Sequence, residues 1–327
     1  MDSPMLSIII VSYNTKNYIK GCLESIKNNL KDLSYEVIVV DNASKDGSGE
    51  FIKENFPWVT LIENKENLGF AKGCNQGVKI SRGKYILLLN PDTIVLENSI
   101  QSMVELMENN PIAGACGCRL LKPDLTPEPP WMNNKFLPKW LLFPLTEGII
   151  TKRFKKNLNP TDSPQEEIRE VDWVSGACML IRKELYNELG GMDECYFIYM
   201  EEIDFCWKLK KTGYKVLRLN KPSIIHYGGG SYKENLSIRQ SHDFQNSLFL
   251  FRRKNYGRIN AFVHLIADIL DNLFIILLFS IAQMFIKKEE KKLERQRFIE
   301  GRKEALKVLL GIFKNALGSL IGRKSGC

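Results

Sequence analysis

Three carboxylates fall within four residues at Glu201, Glu202 and Asp204, inside the stretch CYFIYMEEIDFCW at 195–207. Tyr, Met, Ile, Phe and Trp side chains flank them. Like charges this close raise one another's pKa, and apolar neighbours push the same way. A carboxylate poised near neutral pH is what proton abstraction from a hydroxyl requires. Successive residues on a helix point about 100° apart, so Glu201 and Glu202 cannot face one substrate atom equally. The competing reading is a solvated acidic helix start that complements the helix dipole.

A second group is YILLLNPDT at 85–93. Its apolar run reads as a buried strand of a parallel sheet. Pro91 cannot donate to a ladder and ends the strand. Asp92 then stands just past the carboxyl end of a central strand, where open α/β sheets bind ligands. A carboxylate there, beside Asn90, suits a hard divalent cation bridging phosphate oxygens. Asn-Pro-Asp is also a common turn, with the Asp capping a following helix. His226 precedes Gly228, Gly229 and Gly230 at a strand end, which favours a ligand-facing imidazole.

These residues need a scaffold, and the pattern of the chain supplies one. LSIIIV (6–11) and YEVIVV (35–40) read as parallel strands, with an amphipathic helix over 17–30 between them. That is a βαβ unit with the usual right-handed crossover. A helix over 49–55 and a short strand over 59–63 follow. Gly69, Gly73 and Gly77 recur at a spacing of four and put glycine along one helical face. The segment is not an apolar 20-mer and no Gly-Lys-Ser/Thr follows, so it is neither a transmembrane pair nor a P-loop. Close approach to a ligand or a neighbouring helix is the physical use of such glycines. Further elements are a helix over 97–109, a strand over 113–121, a strand pair around Gly176 within 171–181, and a helix closed by Gly190-Gly191. The helix carrying the carboxylates runs to Gly213, and a final core strand starts at 215. Residues 122–165 are rich in Pro and aromatics, a composition for a functional loop, for ordinary packing, or for contact with sugars or lipid.

The 327 residues hold one large domain or two ordinary ones. The eight Cys form no metal-type CxxC pair, and reduced, mostly buried thiols of a cytosolic protein are expected. The first residues are too few before the first strand to form a signal peptide. The net charge of +8 is uneven: from Arg252 onward 16 Lys+Arg face 7 Asp+Glu, so the tail is +9 and the body −1. A basic tail points to an anionic partner, membrane or nucleic acid, or is merely solvated. Within it, 261–286 is apolar but carries His264, Asp268 and Asp271, and its cleanest run, 273–286, is shorter than a spanning helix needs. After a charged linker over 287–297, a helix over 304–321 gathers Leu306, Leu309, Leu310, Phe313 and Leu317 on one face. That suits an in-plane membrane helix, a helix docked on a core, or a subunit contact.

The motifs SIIIVSYN, VIVVDNASKDGS, NLGFAKGCNQG, YILLLNPDT, VDWVSGACMLIR, FIYMEEIDFCWKLKKTGYKV and HYGGGS stand in one order. In that order the chain resembles the family 2 glycosyltransferases of GT-A fold, in the rhamnosyltransferase-like branch that builds surface polysaccharides. The resemblance implies an α/β fold with a mostly parallel sheet and helices on both faces over 1–255, followed by a helical, basic tail over 256–327. It implies a donor site at Ser12, Tyr13, Asn14, Asp41, Asn67, Gly69, Asn75, Asn90, Trp173 and Gly176, with Asp41 at the base or ribose. It implies a divalent metal, Mg or Mn, held by Asp92 and His226, with Asn90 replacing the motif's first carboxylate. Glu202 stands at the position of the catalytic base, with Glu201 and Asp204 supporting it. The implied reaction is inverting transfer from a nucleotide sugar, dTDP-rhamnose or a UDP-sugar, to a saccharide or lipid-linked acceptor. The implied setting is the inner face of the cell membrane, with the tail on anionic lipid or in a homo-oligomer and no nucleic acid bound. A sugar-nucleotide nucleotidyltransferase is the rival enzyme, but it should carry an Arg-bearing Gly-rich loop where Ser12-Tyr13-Asn14-Thr15 stands. A non-catalytic nucleotide-sugar binder would not need the carboxylates at 201–204.

Overall fold

The computed structural model describes residues 3–128, 167–228, 236–284 and 289–320. Most of the Pro- and aromatic-rich segment, and Gly229, Gly230 and residues 285–288, lie outside the described residues. The chain divides into two compact units, the first with all the strands and the second with the three C-terminal helices.

In the first unit β1 (Leu6–Ser12), α1 (Lys16–Asn29), β2 (Tyr35–Asp41), α2 (Ser48–Asn55), β3 (Thr60–Glu63), α3 (Phe70–Ile80) and β4 (Tyr85–Leu89) form successive βα turns. There follow β5 (Thr93–Val95), α4 (Ser99–Asn109), β6 (Ala113–Leu121), β7 (Ile168–Val171), β8 (Cys178–Arg182), α5 (Lys183–Glu188), α6 (Glu201–Lys211) and β9 (Lys215–His226). The sheet runs β3-β2-β1-β4-β8-β6-β9-β5, with β7 added against β9.

The expected mostly parallel sheet is a mixed one. β3, β2, β1 and β4 are parallel, as are β6 and β9, whereas β8 lies antiparallel to both β4 and β6, and β5 and β7 are antiparallel to β9. Apolar strand runs report burial on both faces, not the direction of a neighbour. Of the strand pair expected around Gly176 only the second forms, as β8; residues 172–177 are loop, and β7 before them pairs with β9.

Strand alternation divides the core between the two sheet faces. Ile8 and Ile10 join α1 and α4 on one side. Ile9, Ile38, Ile86 and Leu88 join α3 and α6 on the other. The glycines of α3 serve this packing. A Cβ on Gly77 would lie 2.5 Å from Ile9 Cγ2, and one on Gly73 2.8 Å from Val11 Cγ1. The close approach is therefore to strand β1, which lets α3 lie flat on the sheet and fixes the loop at its N-terminus.

The second unit holds α7 (Leu236–Tyr256), α8 (Arg258–Gln283) and α9 (Glu289–Leu320). Three expectations change here. The unit begins before residue 255, because α7 belongs with the tail helices. The supposed charged linker is helical from Glu289, since Glu, Lys and Arg are good helix formers. The apolar segment is one helix of 26 residues, long enough to cross a bilayer. Its polar residues are accommodated by neighbours: Arg252 reaches Asp268 at 2.6 Å, and His264 and Asn272 are buried. The apolar face of α9 is partly occupied: Leu309 and Ile312 pack on Leu265, while Leu310 and Leu317 stay exposed.

Six cysteines, Cys22, Cys74, Cys116, Cys118, Cys178 and Cys206, are buried thiols as expected. Cys195 departs from the expectation and is disulfide-bonded.

Candidate active site

The candidate residues collect at the edge of the sheet where β1, β2 and β4 end. After β4 the chain makes the Asn90-Pro91-Asp92 turn, then pairs again as β5. Thr93 stands opposite His226 in the β5–β9 ladder, and Tyr227 N–H donates to the Asp92 carbonyl at 2.9 Å. This register, absent from the simple turn reading, is what brings Asp92 to His226. Asp92 is 5% exposed, and its Oδ1 lies 3.4 Å from His226 Nε2. Asn90 Nδ2 lies at 3.4 Å from the same nitrogen.

The other side of the imidazole meets Glu128, whose Oε1 is 2.7 Å from His226 Nδ1. Sequence reasoning missed Glu128, which sits in the Pro-rich stretch without any periodic signal. Burial opposes the imidazolium, but hydrogen bonds to Asp92 and Glu128 outweigh it and raise the His226 pKa to about 9. A cation beside Asp92 would reverse that balance.

The residues fit a divalent cation. Asp92 Oδ1 and His226 Nε2 share one spot, and the far ring nitrogen is held by a carboxylate, the usual arrangement of a metal-ligating histidine. Among the described residues no group of three His, Cys, Asp or Glu could enclose a metal ion.

The carboxylates of α6 stand on the adjoining element. Two consecutive non-glycine residues, Tyr199 and Met200, adopt left-handed φ of 69° and 70° just before the helix. Such strain collects at functional sites, at about 1–3 kcal/mol per residue. Glu202 takes hydrogen bonds from the backbone N–H of Gly176, Glu202 and Ile203, while burial dominates and pushes its pKa up to about 7. Its Oε2 is buried without a hydrogen-bond partner, although the residue as a whole is half-buried. Glu201 is 3% exposed, and burial, then the charge of Glu202, hold its carboxyl well above the usual range. Burial and the closeness of the two carboxylates thus both favour a protonated form at this pair.

Asp204 is engaged elsewhere. Lys208 Nζ lies 2.8 Å from Asp204 Oδ2, and Tyr196 donates its hydroxyl to Asp204 Oδ1 at 3.4 Å. The i,i+4 spacing to Lys208 was a visible sign of this brace.

The two centres are joined through the loop before β8. Asn90 N–H donates to the Ala177 carbonyl at 3.1 Å, and the neighbouring Gly176 N–H reaches Glu202. A Cβ on Gly176 would meet the Phe70 ring at 3.3 Å, so glycine lets the ring pack closely against this loop. Trp173 is half-buried on the inner core cluster.

The expected donor residues divide into two sets. Asp41 is 5% exposed at the end of β2; burial raises its pKa against hydrogen bonds from Ser44 N (3.0 Å) and Ser44 Oγ (2.6 Å). Asn14 joins the same loop: its N–H donates to Ser44 Oγ, and its Oδ1 accepts from Lys45 N–H. Tyr13 is half-buried beside it, and Asn67 Oδ1 accepts from Gly69 N–H at 3.0 Å. Gly69 has φ +86°, and a Cβ there would collide with the Phe197 carbonyl, to which Phe70 N–H donates at 2.7 Å. Asn42, just past β2, donates to the Gly69 carbonyl at 3.0 Å and fastens this loop to β2.

Two residues fall outside that arrangement. The Ser12 side chain is fully buried, 2.7 Å from Thr15 Oγ1. The Asn75 amide is committed to the protein: it donates to Met192 O and Glu194, and accepts from Tyr186 Oη and Met192 N. It braces the loop before α6 from α3.

A mixed sheet of this strand order with helices on both faces is the GT-A fold. Solved structures share this fold. The mannosyltransferase PcManGT from Pyrobaculum calidifontis, in complex with GDP-Man and Mn2+, matches with a TM-score of 0.56 at 16% identity, over 95% of this chain and 87% of that one. S. aureus TarS 1-349 matches with a TM-score of 0.51 at 14% identity, over 92% of this chain and 80% of that one. Residues 7–190 match glycosyl transferase family 2, and the chain belongs to that family. The rhamnosyltransferase WbbL of Escherichia coli K12 is 27% identical over 277 residues, 80% of this chain and all of that protein. The N-acetylglucosaminyl-diphospho-decaprenol L-rhamnosyltransferase of Mycobacterium tuberculosis is 25% identical over 244 residues, 68% of this chain and 76% of that protein. Family membership disposes of the nucleotidyltransferase and non-catalytic readings.

Proposed function

We propose that the protein transfers a sugar with inversion from a nucleotide-diphosphate donor to a hydroxyl of a lipid-linked saccharide in cell-surface polysaccharide synthesis. The observation that carries this reading is Glu202, a carboxylate at the start of α6 packed against Gly176, whose neighbour Ala177 accepts from Asn90 of the Asp92 turn; burial pushes its carboxyl up to about 7.

Glu202 takes the acceptor hydroxyl's proton as that oxygen bonds to the anomeric carbon. The bond from the anomeric carbon to the donor's phosphate oxygen breaks on the opposite face, and the electron pair leaves with the diphosphate. Glu201, its carboxyl held well above the usual range, stands beside the base, and Asp204 anchors the helix through Lys208 and Tyr196. Asp92 and His226 would hold a divalent cation, Mn or Mg, which when bound neutralises the departing diphosphate. Asp41, with the loop of Asn14 and Ser44 beside it, would take the base and ribose, and the Gly69 loop would line the donor from the next strand end.

The names of the relatives favour rhamnose as the sugar and a diphospho-polyprenol saccharide as the acceptor. A diphospho-polyprenol acceptor is a membrane lipid, and with the basic tail it supports work at the inner face of the cell membrane, with the tail as peripheral anchor. The test is a screen of dTDP-rhamnose and UDP-hexoses against lipid-linked N-acetylglucosamine, with Mn, with Mg and with chelator. Product of inverted anomeric configuration, formed with dTDP-rhamnose and lost in chelator, supports the reading. A retained configuration, or transfer undiminished in chelator, contradicts it.

A further inference from the structure

The C-terminal unit leaves one face of α8 uncovered. Ile266, Leu270, Leu273, Phe274, Leu277 and Leu278 are exposed and recur at helical spacing. The opposite face, with Ala261, His264, Leu265, Asn272 and Ile275, is buried within the unit. Only 17% of the most apolar stretch of α8 is buried, so it is not the core helix of a soluble bundle. A contiguous apolar face of this extent marks a protein or membrane contact.

We infer that α8 lies flat on an anionic bilayer surface, with its exposed apolar face in the lipid and α9 on the aqueous side. This rests on the reading of the enzyme as one that meets a lipid-linked acceptor.

At 26 residues α8 could cross a membrane, but its packing argues against that orientation. The Arg295 guanidinium lies 5.2 Å from the Phe279 ring, and the rings of Phe279 and Phe298 are 4.8 Å apart. Arg302 Nη1 lies 3.5 Å from Asn272 Oδ1. A spanning α8 would draw these arginines into the hydrocarbon, where charge is costly. Flat on the surface, the same helix keeps them in water and buries its apolar face at the headgroup boundary.

Charge selects the occupant. The chain from Arg252 onward is +9. Lys254 and Arg258 are exposed beside the start of α8, and Lys291 and Lys292 are exposed on the first turn of α9. A second copy on this face would set two such basic flanks against each other, because a two-fold contact pairs a surface with itself. An anionic lipid surface complements them.

The full-length protein should float with phosphatidylglycerol–phosphatidylcholine vesicles at low salt and be released by alkaline carbonate. Leu270→Glu combined with Leu277→Glu should weaken vesicle affinity at least about 10-fold, as charge on a lipid-facing surface does, with the helical circular dichroism unchanged. Transfer to a short water-soluble acceptor should be unaffected, so a wrong substrate assignment and a wrong lipid face give different results. Should that variant lose its helical signal, Leu270→Ser with Leu277→Ser provides the milder test of the same face. Vesicle binding by both variants equal to that of the parent protein overturns the inference, as does resistance of the parent to carbonate. A dimer in solution that the variants abolish, without vesicle binding by the parent, would assign the face to a second copy instead.

Discussion

Glu128 Oε1 and His226 Nδ1 are 2.7 Å apart, so the ring presents Nε2 to Asp92. The imidazole therefore has a fixed orientation before any ligand arrives. Outer carboxylates of this kind are worth about 10–100-fold in metal affinity. Glu128→Ala is expected to weaken Mn2+ binding in the presence of a nucleoside diphosphate by that factor, read from free Mn2+ by electron paramagnetic resonance. Unchanged Mn2+ affinity would show that Glu128 does not position the histidine for metal.

Asp92 provides the carboxylate of the same centre. Asp92→Ala should abolish metal-dependent transfer while the melting curve still shows a folded protein. Full turnover in this variant would place the cation elsewhere.

The Asn75 amide ties α3 to Met192, Glu194 and Tyr186. Asn75→Ala leaves buried partners unpaired and should cost about 1–3 kcal/mol of stability. Chemical denaturation measures this directly. The donor KM should stay unchanged; a raised donor KM with unaltered stability would restore Asn75 to the donor site.

The raised carboxyls of α6 also make stability depend on pH. Burial holds the Glu202 proton up to about 7 in the folded protein, against an ordinary value of 4.5. The folded form then binds more protons than the unfolded chain, so this contribution is fully present below about 4.5 and is lost as pH rises through about 7. Glu202→Gln should melt with a smaller fall in Tm across that window than the parent protein shows. An identical fall would mean that Glu202 titrates as an ordinary exposed carboxylate.

The strands were readable because unbroken apolar runs such as 6–11 and 85–89 permit little else, and Asp92 and Glu202 stood out by position and company. Strand direction was not readable, since β8 carries the same apolar composition in either orientation. β5 was hidden because three residues after a turn carry no period, yet it is the pairing that sets His226 beside Asp92. Glu128 had no pattern around it. The length of α8 was misjudged because Asp268 looks like an interruption until Arg252 is placed 2.6 Å from it. The bracing contacts of Asn75 were not readable either, because a sequence cannot show which hydrogen bonds an amide makes.

The central claim is that Glu202 is the base. Its direct test is single-turnover transfer as a function of pH for the parent protein and for Glu202→Gln, Glu201→Gln and Asp204→Asn, with donor binding measured in parallel. The parent rate should rise with pH through about 7 as Glu202 loses its proton. Glu202→Gln should keep donor affinity and lose at least about 100-fold in rate, the low end for general base catalysis. An active Glu202→Gln, with the loss appearing in Glu201→Gln or Asp204→Asn, would contradict the assignment.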